Sequence, residues 1–120
     1  MDIIYEECQK INQVFESIYI YKSIVVCNEQ KHFYYIPRIL KKLLFPVEVI
    51  THDTLNSTFK KFQEGKIRML VVSELMLNIL LAYYPYDMDT VDVVFLSKNV
   101  ILSTETMNNM CNKNIFSLSI

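Results

Sequence analysis

His52 and Asp53 stand side by side, the pairing from which a general base and its orienting carboxylate are built. A hydrolytic dyad of this kind needs an activated serine or cysteine within reach, and none is identifiable nearby. A turn with an aspartate cap is the simpler reading of Thr51-His52-Asp53. The other histidine, His32, lies in a separate segment with no third ligand in register, so no metal site is expected. Cys8, Cys27 and Cys111 are scattered and form no Cys-x-x-Cys pair, which reads as buried thiols in a reducing compartment. Gly65-Lys66 is followed by isoleucine and sits in no Gly-x-x-x-x-Gly-Lys-Ser/Thr loop, so it is not a phosphate-cradling motif. Nothing here specifies catalysis.

Binding groups are better represented. Lys31, Arg38, Lys41 and Lys42 share one helix face, and Lys60, Lys61, Lys66 and Arg68 form a second cluster. Solvated faces are the default use of such groups, with phosphate contacts as the alternative. Tyr83, Tyr84 and Tyr86 are suited either to stacking bases or to the centre of a protein interface, where tyrosine is enriched. Asn28, Thr51, Ser73 and Lys31 fall near the ends of expected strands, where an α/β domain receives its ligands.

Composition narrows the classes. With 120 residues, 52% apolar and 21% charged, residues 1–120 are expected to form a single globular domain. A net charge of −1 supplies no overall basic field to recruit nucleic acid, so such binding must be local. No apolar run approaches the ~20 residues that span a bilayer, and no signal peptide opens the chain. A cytoplasmic or nuclear protein, not a secreted or membrane one, is the expectation.

The elements that must position these residues follow from periodicity. Asp2 can cap a helix to about Ser17, with Ile4, Cys8, Ile11, Val14, Phe15 and Ile18 as its inward stripe. Tyr21–Cys27 reads as a buried strand. His32–Leu44 is helical in pattern, although Pro37 must either kink that helix or begin its regular part. Val47–Ile50 is a second strand, Leu55–Glu64 a short helix and Ile67–Val72 a third strand. Between them Gly65, the only glycine, supplies the left-handed residue that closes a helix. Glu74–Tyr83 is apolar nearly all round, as in a helix buried on more than one side. The tyrosine tract to Asp89 reads as a turn, Val91–Leu96 as a strand and Thr104–Asn112 as a helix capped by Ser103 or Thr104. Ile115–Ile120 closes the pattern as a fifth strand. Strands alternating with helices predict an α/β fold, an open parallel five-stranded sheet with helices on both faces.

Several segments together resemble a known family. Tyr5-Glu6-Glu7-Cys8, Tyr21-Lys22-Ser23-Ile24-Val25-Val26-Cys27-Asn28, and Val47-Glu48-Val49-Ile50-Thr51-His52-Asp53 resemble the second RecA-like domain of DEAD-box RNA helicases. So does Phe62-Gln63-Glu64-Gly65-Lys66-Ile67-Arg68-Met69-Leu70-Val71-Val72-Ser73-Glu74, the most specific stretch. Val91-Asp92-Val93-Val94-Phe95 and Asn114-Ile115-Phe116-Ser117-Leu118 extend the likeness over nearly the whole chain, which is most similar to the translation-initiation branch.

The resemblance implies a RecA-like domain, with Asn28, Thr51, Ser73 and Lys31 as RNA-binding candidates and Asp87 or Asp89 as the nucleotide-binding aspartate. Departures from the pattern are larger than its matches. The family's arginine fingers offset charge on the transferring γ-phosphate, but Glu105-Thr106-Met107-Asn108-Asn109-Met110-Cys111-Asn112 stands in their place. Its Ala-Arg-Gly-x-Asp segment is replaced by Leu75 to Ala82, which holds no arginine or glycine, and its nucleotide-binding first domain is absent. These losses imply a pseudo-enzyme with no cofactor: a non-catalytic adaptor for protein partners in RNA metabolism or translation. Tyr83, Tyr84 and Tyr86 then become interface candidates. An RNA-binding module for single strands, or a trans-acting half of an ATP-dependent helicase, is the alternative.

Overall fold

A parallel sheet covered on both faces buries its strands completely, so its strands must be apolar at every position. β3 (Met69–Val72) meets that demand, and β1 (Ser23–Val26) meets it at all but Ser23, with every residue of both buried. The computed structural model describes residues 2–17, 22–43 and 45–120. Around these strands lie β2 (Val47–Val49), β4 (Val93–Leu96) and β5 (Asn114–Ser117). The strand order is β2-β3-β1-β4-β5, and all four pairings are parallel. The expected open five-stranded α/β sheet is therefore what the chain forms.

Period-two alternation along each strand divides the core between two faces. Helices α1 (Asp2–Ser17) and α2 (Gln30–Lys42) lie on one face, where Ile4, Cys8, Ile36 and Leu40 meet Val25, Val71 and Phe95. On the other face lie α3 (Leu55–Gln63), α4 (Glu74–Tyr83) and α6 (Thr104–Asn109). There Phe59, Phe62, Leu77 and Leu80 cover Ile24, Leu70, Val72 and Val94. The side chain of Asp2, the end of the first stripe at Ile18, Tyr21 and Leu44 lie outside the described residues.

The helix ends show how closely local chemistry is followed. Gly65 has φ 77°, the left-handed value that its lack of a Cβ permits. Its N–H donates to the Phe62 carbonyl at 3.2 Å, and the Lys66 N–H donates to the Lys61 carbonyl at 2.9 Å. Those two bonds make a Schellman closure of α3, which turns the chain straight into β3. Ser73 caps α4, its Oγ accepting from the Met76 N–H at 3.1 Å, and Ser103 caps α6 through the Thr106 N–H at 3.1 Å. α2 runs on through Pro37, which is buried inside it. There the Arg38 guanidinium donates to the Tyr34 carbonyl at 2.7 Å, one turn back.

Three expectations need correction. The tract after Tyr83 is not a plain turn: Pro85–Met88 forms a short helix, α5, because Pro85 suits its first position and Met88 is buried beneath it. The last strand covers Asn114–Ser117 rather than Ile115–Ile120, although Leu118 and Ile120 remain buried after leaving the ladder. The helix after Ser103 stops at Asn109, where Met110 turns into the core.

Gly65→Val is expected to destabilise the protein by ~1 kcal/mol or more, since a β-branched residue is strained at positive φ. Urea unfolding checks this, and an unchanged midpoint would contradict the left-handed closure.

Candidate functional site

Because every strand is parallel, all their carboxyl ends open on one edge of the sheet. The connection from β1 leads towards β2 and that from β4 towards β5, so the direction of winding reverses between β1 and β4. Crevices at such a reversal are the usual ligand sites of open α/β sheets. A cavity of about 360 Å³ lies there, lined in part by Glu29, Lys31, His32, Lys98 and Asn99. A neighbouring depression of about 270 Å³ is lined by Gln30, Phe33, Thr51, His52, Ser73 and Met76.

Asn28 links the two. Its side-chain amide donates to Glu74 Oε1 at 3.0 Å and to the Asn99 carbonyl at 3.2 Å, tying together the loops after β1, β3 and β4. The fold thus brings Asn28, Thr51 and Ser73 to one edge, with Lys31 in the adjoining cavity. Local structure already employs these groups. Ser73 Oγ caps α4, Thr51 Oγ1 shares a hydrogen bond with Thr54 Oγ1 at 3.1 Å, and Lys31 Nζ pairs with Glu29 Oε2 at 3.2 Å. His52 and Asp53 are exposed in the turn between β2 and α3, where the Thr54 N–H donates to the Thr51 carbonyl at 3.2 Å.

His32 is buried at the floor of the larger cavity. Burial pushes its pKa below the ordinary imidazole value, with Glu29 opposing that shift and Lys31 adding to it. Among the described residues, no group of three or more His, Cys, Asp or Glu side chains is placed to hold a metal ion.

Asp87 and Asp89 are not part of this edge. They lie in and just after α5, which leads into the amino end of β4, so the length of a four-residue strand (~13 Å) separates them from the carboxyl edge. Asp87 accepts from Gln63 Nε2 at 3.0 Å. Asp89 stands near Lys113, whose buried ammonium donates to the Met88 and Val91 carbonyls at 2.6 and 2.9 Å. Burial lowers the Lys113 pKa, while Asp89 and Asp92 raise it. Asp87 and Asp89 thus lie at the turn from α5 into β4, apart from Asn28, Thr51 and Ser73.

The tyrosines divide as well. Tyr83 and Tyr86 are 77% and 87% exposed, whereas Tyr84 is half-buried, its ring centroid 4.5 Å from that of Phe59. Tyr84 thus packs in part against the core, and Tyr83 and Tyr86 are the exposed pair. Neither arginine reaches the carboxyl edge: Arg38 lies along α2, and Arg68 precedes β3 at its amino end with its guanidinium 5.4 Å from the Phe15 ring. α6 carries no arginine, as its sequence states, and makes a packing contact instead, Thr106 Oγ1 donating to Asn78 Oδ1 at 2.7 Å. The sequence reading also missed the stack of Arg38 on Tyr34, 3.6 Å from guanidinium carbon to ring centroid. Their i, i+4 spacing was the available signal.

Comparison with known proteins gives the fold a context. No described protein family and no curated protein matches the chain. Among solved structures, the chain is similar to the Hef helicase domain of Pyrococcus furiosus, with a TM-score of 0.71 and 14% identity over 98% of this chain. It is similar to the S. cerevisiae Dbp5 C-terminal domain bound to Gle1 and IP6, with a TM-score of 0.71 and 15% identity over 98% of this chain and 71% of that one. A third likeness is to the E. coli DEAD-box protein SrmB bound to RraA, with a TM-score of 0.63 and 11% identity over 96% of this chain and 71% of that one. The chain spans about a quarter of the Hef chain. These likenesses show the fold, the RecA-like α/β architecture of helicase C-terminal domains.

Two outcomes follow. Burial, with a smaller contribution from Glu7 at Cys8 and from Cys8 at Cys27, raises both thiol pKa values to about 12, while Cys111 is exposed rather than buried as expected. A thiol reagent at pH 8 should label Cys111 quickly and the other two only on unfolding; rapid labelling of all three would contradict the packing of α1 on β1. Ser73→Ala should cost ~1 kcal/mol through loss of the α4 cap. An unchanged denaturation midpoint would free Ser73 from that role.

Proposed function

We propose that the chain is a helicase-like domain that works as a non-catalytic adaptor for protein partners in RNA metabolism or translation. The observation that carries this reading is the exposure of Tyr83 and Tyr86 at the amino-edge side of the sheet, away from a carboxyl edge whose polar groups serve the fold. Burying a large apolar side chain is worth roughly 1.5–3 kcal/mol, and that gain is forgone here at two aromatic residues only three apart. Tyrosine is also among the residue types enriched at the energetic centres of interfaces.

The neighbours are compatible with this use of the fold. The Dbp5 C-terminal domain is bound to Gle1, and SrmB to RraA. Neither arginine among the described residues lies at the carboxyl edge, so no guanidinium there is placed to offset charge on a transferring phosphoryl group. The adaptor needs no cofactor, and its work would lie in the cytoplasm or nucleus. No helix of the described residues is long and apolar enough to cross a membrane.

A second reading has one observation in its favour. Thr51 and Ser73 line one depression, with Lys31 in the cavity beside it, a set that could meet successive phosphates of single-stranded RNA. On that reading the chain is an RNA-binding module or the trans-acting half of a helicase.

The exposed pair gives the test. Tyr83→Ser with Tyr86→Ser should leave the melting temperature unchanged and remove the proteins retained by the native chain in affinity capture. An unchanged set of retained proteins would overturn the tyrosine interface. The purified chain should hydrolyse no ATP with or without RNA, and RNA-stimulated turnover that survives repurification would sink the non-catalytic reading.

A further inference from the structure

The outer face of α2 carries a charge pattern that the adaptor reading leaves unused. Lys31, Tyr34, Arg38, Lys41 and Lys42 fall at three- and four-residue intervals and are all exposed, so they form one stripe. The helix contains no acidic residue. Lys31 pairs with Glu29, but Arg38, Lys41 and Lys42 form no ion pair among the described residues. In a chain of net charge −1, that is segregation of charge. Lys41 and Lys42 also complement the carboxyl end of the helix dipole, which accounts for part of the pattern. It does not account for Arg38.

Arg38 is pinned. Its guanidinium stacks 3.6 Å from the Tyr34 ring centroid and donates to the Tyr34 carbonyl at 2.7 Å. Its conformational freedom is therefore already spent, while its remaining N–H groups stay free to fork onto a carboxylate. Beside it, between α2 and the edge strand β2, lies a depression of about 320 Å³. Phe33, Pro37 and Val49 line it as apolar groups, and Arg38, Lys41 and Glu48 as charged ones. Glu48 is paired with Lys61 Nζ at 3.2 Å, so its charge is offset.

We propose that this α2–β2 face docks an acidic segment of a protein partner. One apolar side chain of that segment would sit between Phe33, Pro37 and Val49, with flanking carboxylates on Arg38 and Lys41. The inference rests on the adaptor reading and specifies its partner's chemistry. The stripe has the anatomy of an interface, an aromatic–arginine centre within a polar rim of lysines. A phosphate backbone would satisfy the lysines but leave the apolar depression empty. An acidic segment with an apolar anchor satisfies both.

Fluorescence anisotropy with the whole chain tests this. The probe is a labelled peptide of alternating aspartate and glutamate around one phenylalanine; its control replaces the acidic residues with glutamine. The acidic peptide should bind and the control should not, with affinity falling as salt rises. Arg38→Ala and, separately, Lys41→Glu should each weaken binding by about tenfold or more with no change in melting temperature. Tyr83→Ser with Tyr86→Ser should bind the peptide as the native chain does. Failure of the peptide to bind in the millimolar range, or equal affinity in the Arg38 and Lys41 variants, would overturn the proposal. So would tighter binding of a uridine oligonucleotide that the same variants abolish, since the face would then track phosphates. If partners remain captured through Tyr83 and Tyr86 while the peptide fails, the adaptor reading stands and only this docking face falls.

Discussion

Burial of the sheet on both faces is the constraint on which this structure depends. β1 and β3 lie in the middle of five parallel strands, and both are wholly inaccessible to water. Chain that buries every side chain along a strand can carry chemistry only past its ends. Polar groups therefore concentrate at the two edges of the sheet and on the outer faces of the helices. Those two edges are not equivalent, because parallel strands all point the same way. Asn28, Thr51 and Ser73 reach the carboxyl edge, while Asp87, Asp89 and Lys113 reach the amino edge.

That division accounts for much of what was and was not legible in the sequence. The Met69–Val72 run and the Gly65 closure could be read directly, since each depends on neighbours a few residues away. Glu74–Tyr83 could be read for the same reason, its cap being Ser73 at the preceding position. The helix of Pro85–Met88 could not, because proline suits a turn and a first helical position alike. Burial of Met88 against the second core decides between them, and burial is a property of the whole fold. Leu118 and Ile120 misled in the other direction: they keep a strand's alternation and stay buried although the ladder has ended.

The site was legible by type more than by place. Hydroxyl and amide groups at strand ends were expected, and Asn28, Thr51 and Ser73 do gather there. The engagement of Asn28 was not visible, because its partners Glu74 and Asn99 are remote in sequence, whereas Thr51 and Ser73 bond to Thr54 and Met76 only three residues on. That Asp87 and Asp89 lie at the other edge was not legible, because order along a chain does not say which end of the sheet a loop occupies. The packing of Tyr84 was not legible because its partner, Phe59, is remote in sequence.

The proposed adaptor role, a fold kept for its surfaces rather than for catalysis, would join these points. The strands and helix closures are intact, and the likeness to helicase C-terminal domains extends over nearly all of the chain. What lies on the surface is aromatic at Tyr83 and Tyr86 and basic along α2. The most direct measurement is affinity purification of the tagged protein from its native cells, in parallel with and without nuclease. The account predicts a set of protein partners that persists after nuclease treatment. Loss of every partner on nuclease treatment would contradict it, and would move the function to RNA contacts at the carboxyl edge.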